Sequence, residues 1–147
     1  MYRFRFLVLL VVLLQAGAAI AGGRVALVVG NGKYGSMGEL PTPTKDARAI
    51  VELLKNKLGF EVIPVLDGDH AGMRQALTHF GRAATGADVA LFYYAGHAVE
   101  FNEANFLMPV DFNDQSRASY VNQTTRLDDL LMIAQLVRAK TKVLVID

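Results

Sequence analysis

Asp88-Val89-Ala90-Leu91-Phe92-Tyr93-Tyr94-Ala95-Gly96-His97 is the stretch that decides the fold. Its unbroken apolar run predicts a strand that is buried on both faces of a parallel sheet. His97 follows the carboxyl end of that strand, where open α/β sheets bind their ligands. An imidazole exchanges protons near neutral pH, and the small residues Ala95 and Gly96 leave the ring approachable. His97 is therefore the first candidate for a catalytic base, although a histidine at a strand end is often an ordinary loop residue.

The rest of the chain alternates apolar runs with segments of helical periodicity. Such alternation predicts an α/β domain with a mainly parallel sheet of about four strands, flanked by helices in three layers. Pro64 places one strand at or near an edge of the sheet. The predicted strands are 24–29, 60–66, 89–94 and 142–147. The predicted helices begin at Thr42-Pro43, after Asp67-Gly68-Asp69, and at a capping box over Thr125–Asp128.

The segment after His97 has a different pattern. Two short apolar runs, 99–101 and 106–110, flank the polar turn Asn102-Glu103-Ala104 and predict a small hairpin outside the main sheet. Residues 111–122 predict a loop. The last apolar run ends with the chain at Asp147, and natural termini usually lie in exposed segments. The pattern therefore predicts a domain that is incomplete at its carboxyl end.

The composition of the chain excludes several classes of function. The 147 residues suit one domain or less, with a net charge of +1 from 15 basic and 14 acidic side chains. The charges are interspersed, without a basic block, so nucleic acid is not an expected partner. The chain has no cysteine, which excludes disulfides, a thiolate metal site and a cysteine nucleophile within these residues. No metal site or other cofactor is predicted.

The N-terminus has the features of a secretory leader. Arg3 and Arg5 precede the apolar run 6–14, and Ala19-Ile20-Ala21 is a small-x-small cleavage site. We therefore expect a signal peptide over residues 1–22, cleaved after Ala21 or Gly22, with an uncleaved anchor as the alternative. A secreted or periplasmic location follows, with no membrane partner beyond the cleaved leader.

Several segments, in order, resemble the caspase-like cysteine peptidases, and among them the bacterial metacaspase-like (orthocaspase) branch. The resemblance covers residues 23–147, which implies an incomplete caspase-like domain of the p20 type. Its most specific parts are Tyr93-Tyr94-Ala95-Gly96-His97 and the last strand. The other matching segments are Arg24 to Asn31 with Tyr34, Leu40 with Pro43, Asp46-Ala47, Gly59 to Val62 and Asn105 to Asp111.

The resemblance implies a Cys-His dyad that cleaves protein or peptide substrates. In this family the strand matching 142–147 continues into Ala-Cys, and that cysteine is the nucleophile. His97 would then be the general base and acid, while the backbone N–H of Ala98 would help to hold the oxyanion. The family usually has glycine at the position of Ala98. If this position needs a positive φ, an alanine there has a strained backbone. The 147 residues alone are expected to be inactive.

Two acids complete the expected site. Asp46 and Asp147 match positions that line the S1 pocket in metacaspase-like enzymes, so the resemblance implies cleavage after arginine or lysine. Each acid also has an ordinary explanation, because Asp46 suits the first turn of a helix and carboxylates are common at strand ends. The resemblance leaves any calcium requirement open.

Two other functions compete with a peptidase. The missing cysteine and Ala98 also suit a noncatalytic caspase-like module that binds a partner protein. The loop Gly30-Asn31-Gly32-Lys33-Tyr34-Gly35 fits the G-x-G-x-x-G pattern of dinucleotide-binding domains. That function requires a helix that begins within the loop, whereas Pro41 and Pro43 delay the next helix.

Overall fold

The computed structural model describes residues 23–113 and 117–147 of the chain. The signal peptide expected over residues 1–22 lies outside the described residues. None of the helices in the described ranges is long and apolar enough to cross a membrane.

The main sheet has four parallel strands in the order β2-β1-β3-β7. They are β1 (Arg24–Gly30), β2 (Glu61–Leu66), β3 (Val89–Ala95) and β7 (Thr141–Ile146). The central strands β1 and β3 are rich in β-branched and aromatic residues, which suit a sheet covered on both faces. β2 is an edge strand, as Pro64 predicts.

Helices cover both faces of the sheet and make the three layers expected from the sequence. α1 (Pro43–Asn56) lies on one face, and α2 (His70–Ala83) and α4 (Leu127–Leu136) lie on the other. The short helix α3 (Arg117–Asn122) packs through Tyr120 against Phe106 and Phe112. Successive side chains of a strand point to opposite faces, so Leu27 packs toward α2 and α4 while Val28 packs toward α1. In the same way Tyr94 lies in the α2 core and Tyr93 in the α1 core.

The hairpin predicted after His97 is present, and it belongs to a second sheet. β4 (Ala98–Phe101) and β5 (Ala104–Leu107) are antiparallel, and β6 (Thr125–Arg126) pairs with the other side of β5. The turn residues Asn102 and Glu103 both have positive φ, of 50° and 62°. This conformation at both central positions is that of a two-residue hairpin turn.

The structure corrects three expectations. Residues 117–122 form the helix α3 instead of a loop. The capping box at Thr125 is wrong, because Thr125 pairs with Leu107 in β6 and Arg126 takes the position before α4. β7, predicted as a buried strand, lies at the edge of the sheet that the described residues form, and all six of its residues are exposed there. Apolar composition identified β7 as a strand but did not give its place in the strand order.

Candidate active site

The carboxyl ends of the parallel strands bring the predicted site residues to one edge of the sheet. His97 is half-buried and follows β3, and Asp147 follows β7. The backbone N–H of Asp147 donates to the carbonyl of Tyr94 at 2.9 Å, three residues before His97. The end of β7 and the histidine therefore lie side by side, as the α/β arrangement of the sequence predicts.

Asp46 and Asp147 line one cleft of about 260 Å³. Asp46 reaches it from the first turn of α1, and Gly96 forms part of its wall. Both acids are exposed, so solvent and salt weaken their field. The remaining lining residues are Leu40, Thr42, Pro43 and Ala95.

The pKa of Tyr93 responds to the negative charge of these two acids. Its hydroxyl lies 3.5 Å from Oδ2 of Asp147. Burial raises the pKa of Tyr93, and the negative charges of Asp147 and Asp46 raise this pKa further. Both carboxylates therefore act on the same corner of the α1 face, where a cationic side chain of a ligand would be attracted.

The contact between the imidazole and Gly38 fixes the role of each ring nitrogen. Nε2 of His97 lies 3.1 Å from the carbonyl oxygen of Gly38. A carbonyl oxygen only accepts hydrogen bonds, so Nε2 must carry a proton in this contact. In the neutral ring Nδ1 then keeps its lone pair, and Nδ1 is the atom that can act as a base.

The hairpin ladder shows how the N–H of Ala98 is placed. Met108 N donates to the carbonyl of His97 at 3.1 Å, so Ala98 and Leu107 form a non-hydrogen-bonded pair of the β4–β5 ladder. The Ala98 N–H thus faces away from β5, on the open side of β4. Ala98 is not one of the described residues that have a positive φ. The backbone strain that a positive φ would impose on an alanine therefore does not arise here.

Gly96 takes the unusual backbone conformation instead. Its φ is +156°, and a Cβ at this position would lie 2.5 Å from the Tyr34 hydroxyl and 2.9 Å from the Tyr94 hydroxyl. Only glycine lets the chain pass so close to both tyrosines. The site therefore needs glycine at position 96, because a larger residue would collide with the two tyrosine hydroxyls. The sequence had suggested only that Gly96 leaves the imidazole ring of His97 accessible.

A buried polar cluster supports the histidine from below. Asn31 and Tyr94 are both 0% exposed, and the carbonyl of Met108 accepts from Nδ2 of Asn31 at 3.0 Å. Oδ1 of Asn31 accepts from Gly68 N at 2.9 Å. The resemblance includes Asn31 and Tyr34 without a role and does not include Gly38. The contacts of these three residues at the site cannot be predicted from spacing, because an irregular loop has no periodicity.

The loop after β1 is not built to bind a dinucleotide. No helix begins within residues 31–42, since α1 starts at Pro43. The backbone N–H groups of Gly32 and Lys33 both donate to Oδ1 of Asp67, at 2.8 and 3.0 Å. These are the groups that a pyrophosphate would need, and a carboxylate of the chain already occupies them.

No group of three or more His, Cys, Asp or Glu side chains in the described ranges is arranged to hold a metal ion. His70 and His79 lie on α2, away from His97.

Comparison with known proteins connects this geometry to a family. The profile of the caspase domain matches residues 23–147. The mouse mucosa-associated lymphoid tissue lymphoma translocation protein 1 homolog is 34% identical over 97 residues, which are 66% of this chain and 12% of that protein. The human protein is 35% identical over 92 residues, which are 63% of this chain and 11% of that protein.

A solved structure has the same fold. The crystal structure of the Drosophila initiator caspase Dronc superposes with a TM-score of 0.65 at 15% sequence identity. The match covers 89% of this chain and 54% of the Dronc chain. The chain thus spans only a part of each of these three proteins.

Proposed function

Because the chain belongs to the caspase domain family, we propose that it is the histidine-bearing part of a cysteine endopeptidase that cleaves protein or peptide chains after arginine or lysine. The observation that carries the proposal is the position of His97 beside the end of β7, where the family resemblance expects the cysteine to follow. Within the family, the resemblance favours the bacterial metacaspase-like branch.

His97 would act through Nδ1. With Nε2 held by the Gly38 carbonyl at 3.1 Å, the free Nδ1 takes the proton of the cysteine thiol, and the thiolate attacks the peptide carbonyl carbon. The same proton then passes from Nδ1 to the departing amine. In the second half of the reaction Nδ1 accepts a proton from water, which hydrolyses the acyl-enzyme.

The N–H of Ala98 would stabilise the charge that develops on the carbonyl oxygen. It faces the open side of β4, one residue after the base, and such a donor typically contributes about 3 to 4 kcal/mol to acyl transfer. Asp46 and Asp147 would bind the guanidinium or ammonium group of the residue before the cleaved bond.

The first prediction concerns the dyad and requires the protein extended past Asp147 by its downstream coding sequence. We expect this protein to hydrolyse a fluorogenic peptide that ends in arginine faster than the matched peptide that ends in aspartate. His97→Ala should lower kcat by about a thousandfold or more, because a dyad that loses its base retains little activity. Asp46→Asn should mainly raise KM for the arginine peptide.

The outcomes separate the candidate functions. A kcat of His97→Ala within about tenfold of the wild-type value, with unchanged circular dichroism, would contradict the dyad. An extended protein with no cysteine after Asp147 and no turnover would instead be a noncatalytic caspase-like binding module. The 147-residue chain serves as the inactive control, because it contains no thiol.

We also propose that the leader directs the domain out of the cytoplasm, to a secreted or periplasmic location. The motivation is the basic, apolar and small-x-small pattern of residues 1–22. N-terminal sequencing of the exported protein should begin at Gly22 or Gly23. Recovery of the protein with Met1 intact in the cytoplasmic fraction would refute this proposal.

A further inference from the structure

Two phenol hydroxyls hold the backbone of His97 from both sides. The hydroxyl of Tyr34 accepts a hydrogen bond from the His97 N–H at 2.9 Å. The hydroxyl of Tyr94 donates to the His97 carbonyl at 2.7 Å. The two hydroxyl oxygens are 3.3 Å apart, so the peptide groups on both sides of the histidine Cα are fixed by one pair of neighbouring groups.

The hydrogen bonds of this pair have a consistent direction. Each hydroxyl can donate once and accept twice. The N–H of Met108 is shared between the Tyr94 hydroxyl and the His97 carbonyl, both at 3.1 Å, and Tyr94 gives its own proton to the His97 carbonyl. Tyr34 accepts from His97 and can give its own proton to the carbonyl of Met108 or to Tyr94, both at 3.3 Å. Every donor therefore has an acceptor, and the network defines one position of the His97 backbone.

Tyr34 also contacts the imidazole itself. The two ring centroids are 4.6 Å apart, and the ring planes are tilted by 58°. The same loop supplies the Gly38 carbonyl that holds Nε2. One segment thus fixes the histidine at its backbone N–H, at one face of its ring and at one ring nitrogen.

The environment keeps the Tyr34 hydroxyl neutral. Tyr34 is 4% exposed, and burial raises its pKa. A neutral hydroxyl can accept from the His97 N–H and donate at the same time, whereas a phenolate could not donate. At neutral pH the hydroxyl is therefore available for both bonds.

We propose that Tyr34 is a positioning residue for His97, whose hydroxyl and ring aim the imidazole so that Nδ1 faces the nucleophile. The inference rests on the proposed peptidase function for its consequence in catalysis, but the positioning itself is a property of this chain. Tyr34 does not contact the reacting atoms; it acts through His97.

A purely structural role for Tyr34 makes a different prediction. Tyr34 packs in an apolar cluster with Phe106, Met108 and Phe112, and its ring alone could serve that cluster. Tyr34→Phe keeps the ring and removes the hydroxyl, so it separates the two roles. Tyr120→Phe is the matched control, because Tyr120 belongs to the same cluster but its ring contacts are with Phe101, Phe106 and Phe112.

The first measurement uses the 147-residue chain and needs no activity. In ¹⁵N-labelled protein the His97 ring should show mainly the tautomer with the proton on Nε2. In Tyr34→Phe we expect this tautomer to lose population and the His97 amide proton to exchange with solvent about tenfold faster or more. Tyr120→Phe should leave both signals unchanged. Unchanged ring and amide signals of His97 in a folded Tyr34→Phe would overturn the inference.

The second measurement uses the extended protein. A misaimed base should lower kcat by about 10- to 100-fold with little change in KM, while Tyr120→Phe stays near wild type. If Tyr34→Phe keeps the wild-type kcat, or if circular dichroism shows a loss of folded protein that accounts for the lower kcat, the inference fails. If the wild-type extended protein is inactive, the proposed function fails, and the spectra of His97 still decide the positioning role.

Discussion

Tyr94 shows how much a single residue contributes to the candidate site. It is fully buried, and its hydroxyl makes hydrogen bonds to the backbone of His97 and of Met108. It therefore joins the end of β3 to the end of β5 across the two sheets. Burial, reinforced by the charge and the hydrogen bond of Tyr34, raises its pKa far above the ordinary value. This pKa shift couples the stability of the fold to alkaline pH.

The prediction at the residue scale follows from the sign of that shift. An unfolded tyrosine has a pKa of about 10, so above this pH the unfolded chain loses the proton while native Tyr94 keeps it. The stabilisation is complete below pH 10 and is lost as the pH rises above this value, with a slope that reaches about 1.4 kcal/mol per pH unit only well above pH 10. Between pH 9 and 11 the loss from Tyr94 amounts to about 1.4 kcal/mol in total, and Tyr94→Phe should remove it.

Urea unfolding at about pH 9, 10 and 11 measures the slope. The comparison concerns slopes, since Tyr94→Phe also loses hydrogen bonds at every pH. The two proteins differ at one position only, so the difference between their slopes isolates Tyr94. An identical pH dependence in the two proteins would contradict a raised pKa of Tyr94.

At the scale of elements, the loop between β1 and α1 decides how the site is assembled. It carries Tyr34 and Gly38, and it is fastened to the end of β2 through Asp67. Oδ1 of Asp67 accepts two backbone N–H groups of the loop, from Gly32 and Lys33. Asp67 itself has φ 52°, a conformation that aspartate and asparagine tolerate better than most residues.

Asp67→Ala should therefore destabilise the domain by about 2 to 3 kcal/mol, since two donors lose a charged acceptor. Asp67→Asn keeps an acceptor oxygen and the tolerance for positive φ, so we expect a loss below about 1 kcal/mol. Urea unfolding gives both values, and hydrogen exchange should locate the change at the amides of Gly32 and Lys33. Equal losses in the two variants would show that the carboxylate oxygen is not what holds the loop.

Elements with strong periodicity are also the ones that the sequence predicts well. The inner face of α2, with Met73, Leu77 and Phe80, agrees with the structure because the 3.6-residue spacing directly reflects burial. The short elements α3 and β6 are missed, since six and two residues are too few for a period. The Thr125 capping signal fails because pairing with β5 outweighs a local preference.

The same reasoning explains what can be predicted of the site. His97 and Asp147 are found because they follow apolar strands, and parallel strands end at one edge of the sheet. The contacts of Tyr34 and Gly38 with His97 join positions about 60 residues apart through irregular backbone. No pattern in the sequence connects positions that are so far apart along the chain, so only the folded structure shows these contacts.

At the scale of the whole molecule, stability depends on two cores separated by the main sheet. β1 is central to both, because alternate residues of this one strand face α1 on one side and α2 with α4 on the other. Leu27 and Val28 are each 0% exposed. A cavity in β1 therefore removes contacts that no single helix can restore.

Leu27→Ala should lower the free energy of unfolding by about 2 to 5 kcal/mol, as expected for a fully buried leucine. Leu136→Ala is the matched control, because the same side chain is removed at a position that is 72% exposed. Its effect should stay within about 0.5 kcal/mol. Urea unfolding of both variants tests the expectation, and a similar loss in the two would mean that β1 is not central to stability.

The proline in β2 limits how the main sheet can be extended at that edge. Among the described strands β2 pairs only with β1, and Pro64 within it has no N–H, which an edge strand tolerates where the missing donor faces away from the sheet. A strand of another molecule that approached the outer side of β2 would therefore find the row of backbone donors interrupted at this residue. A single imino acid thus discourages strand addition, the step by which the sheets of separate molecules join and aggregate.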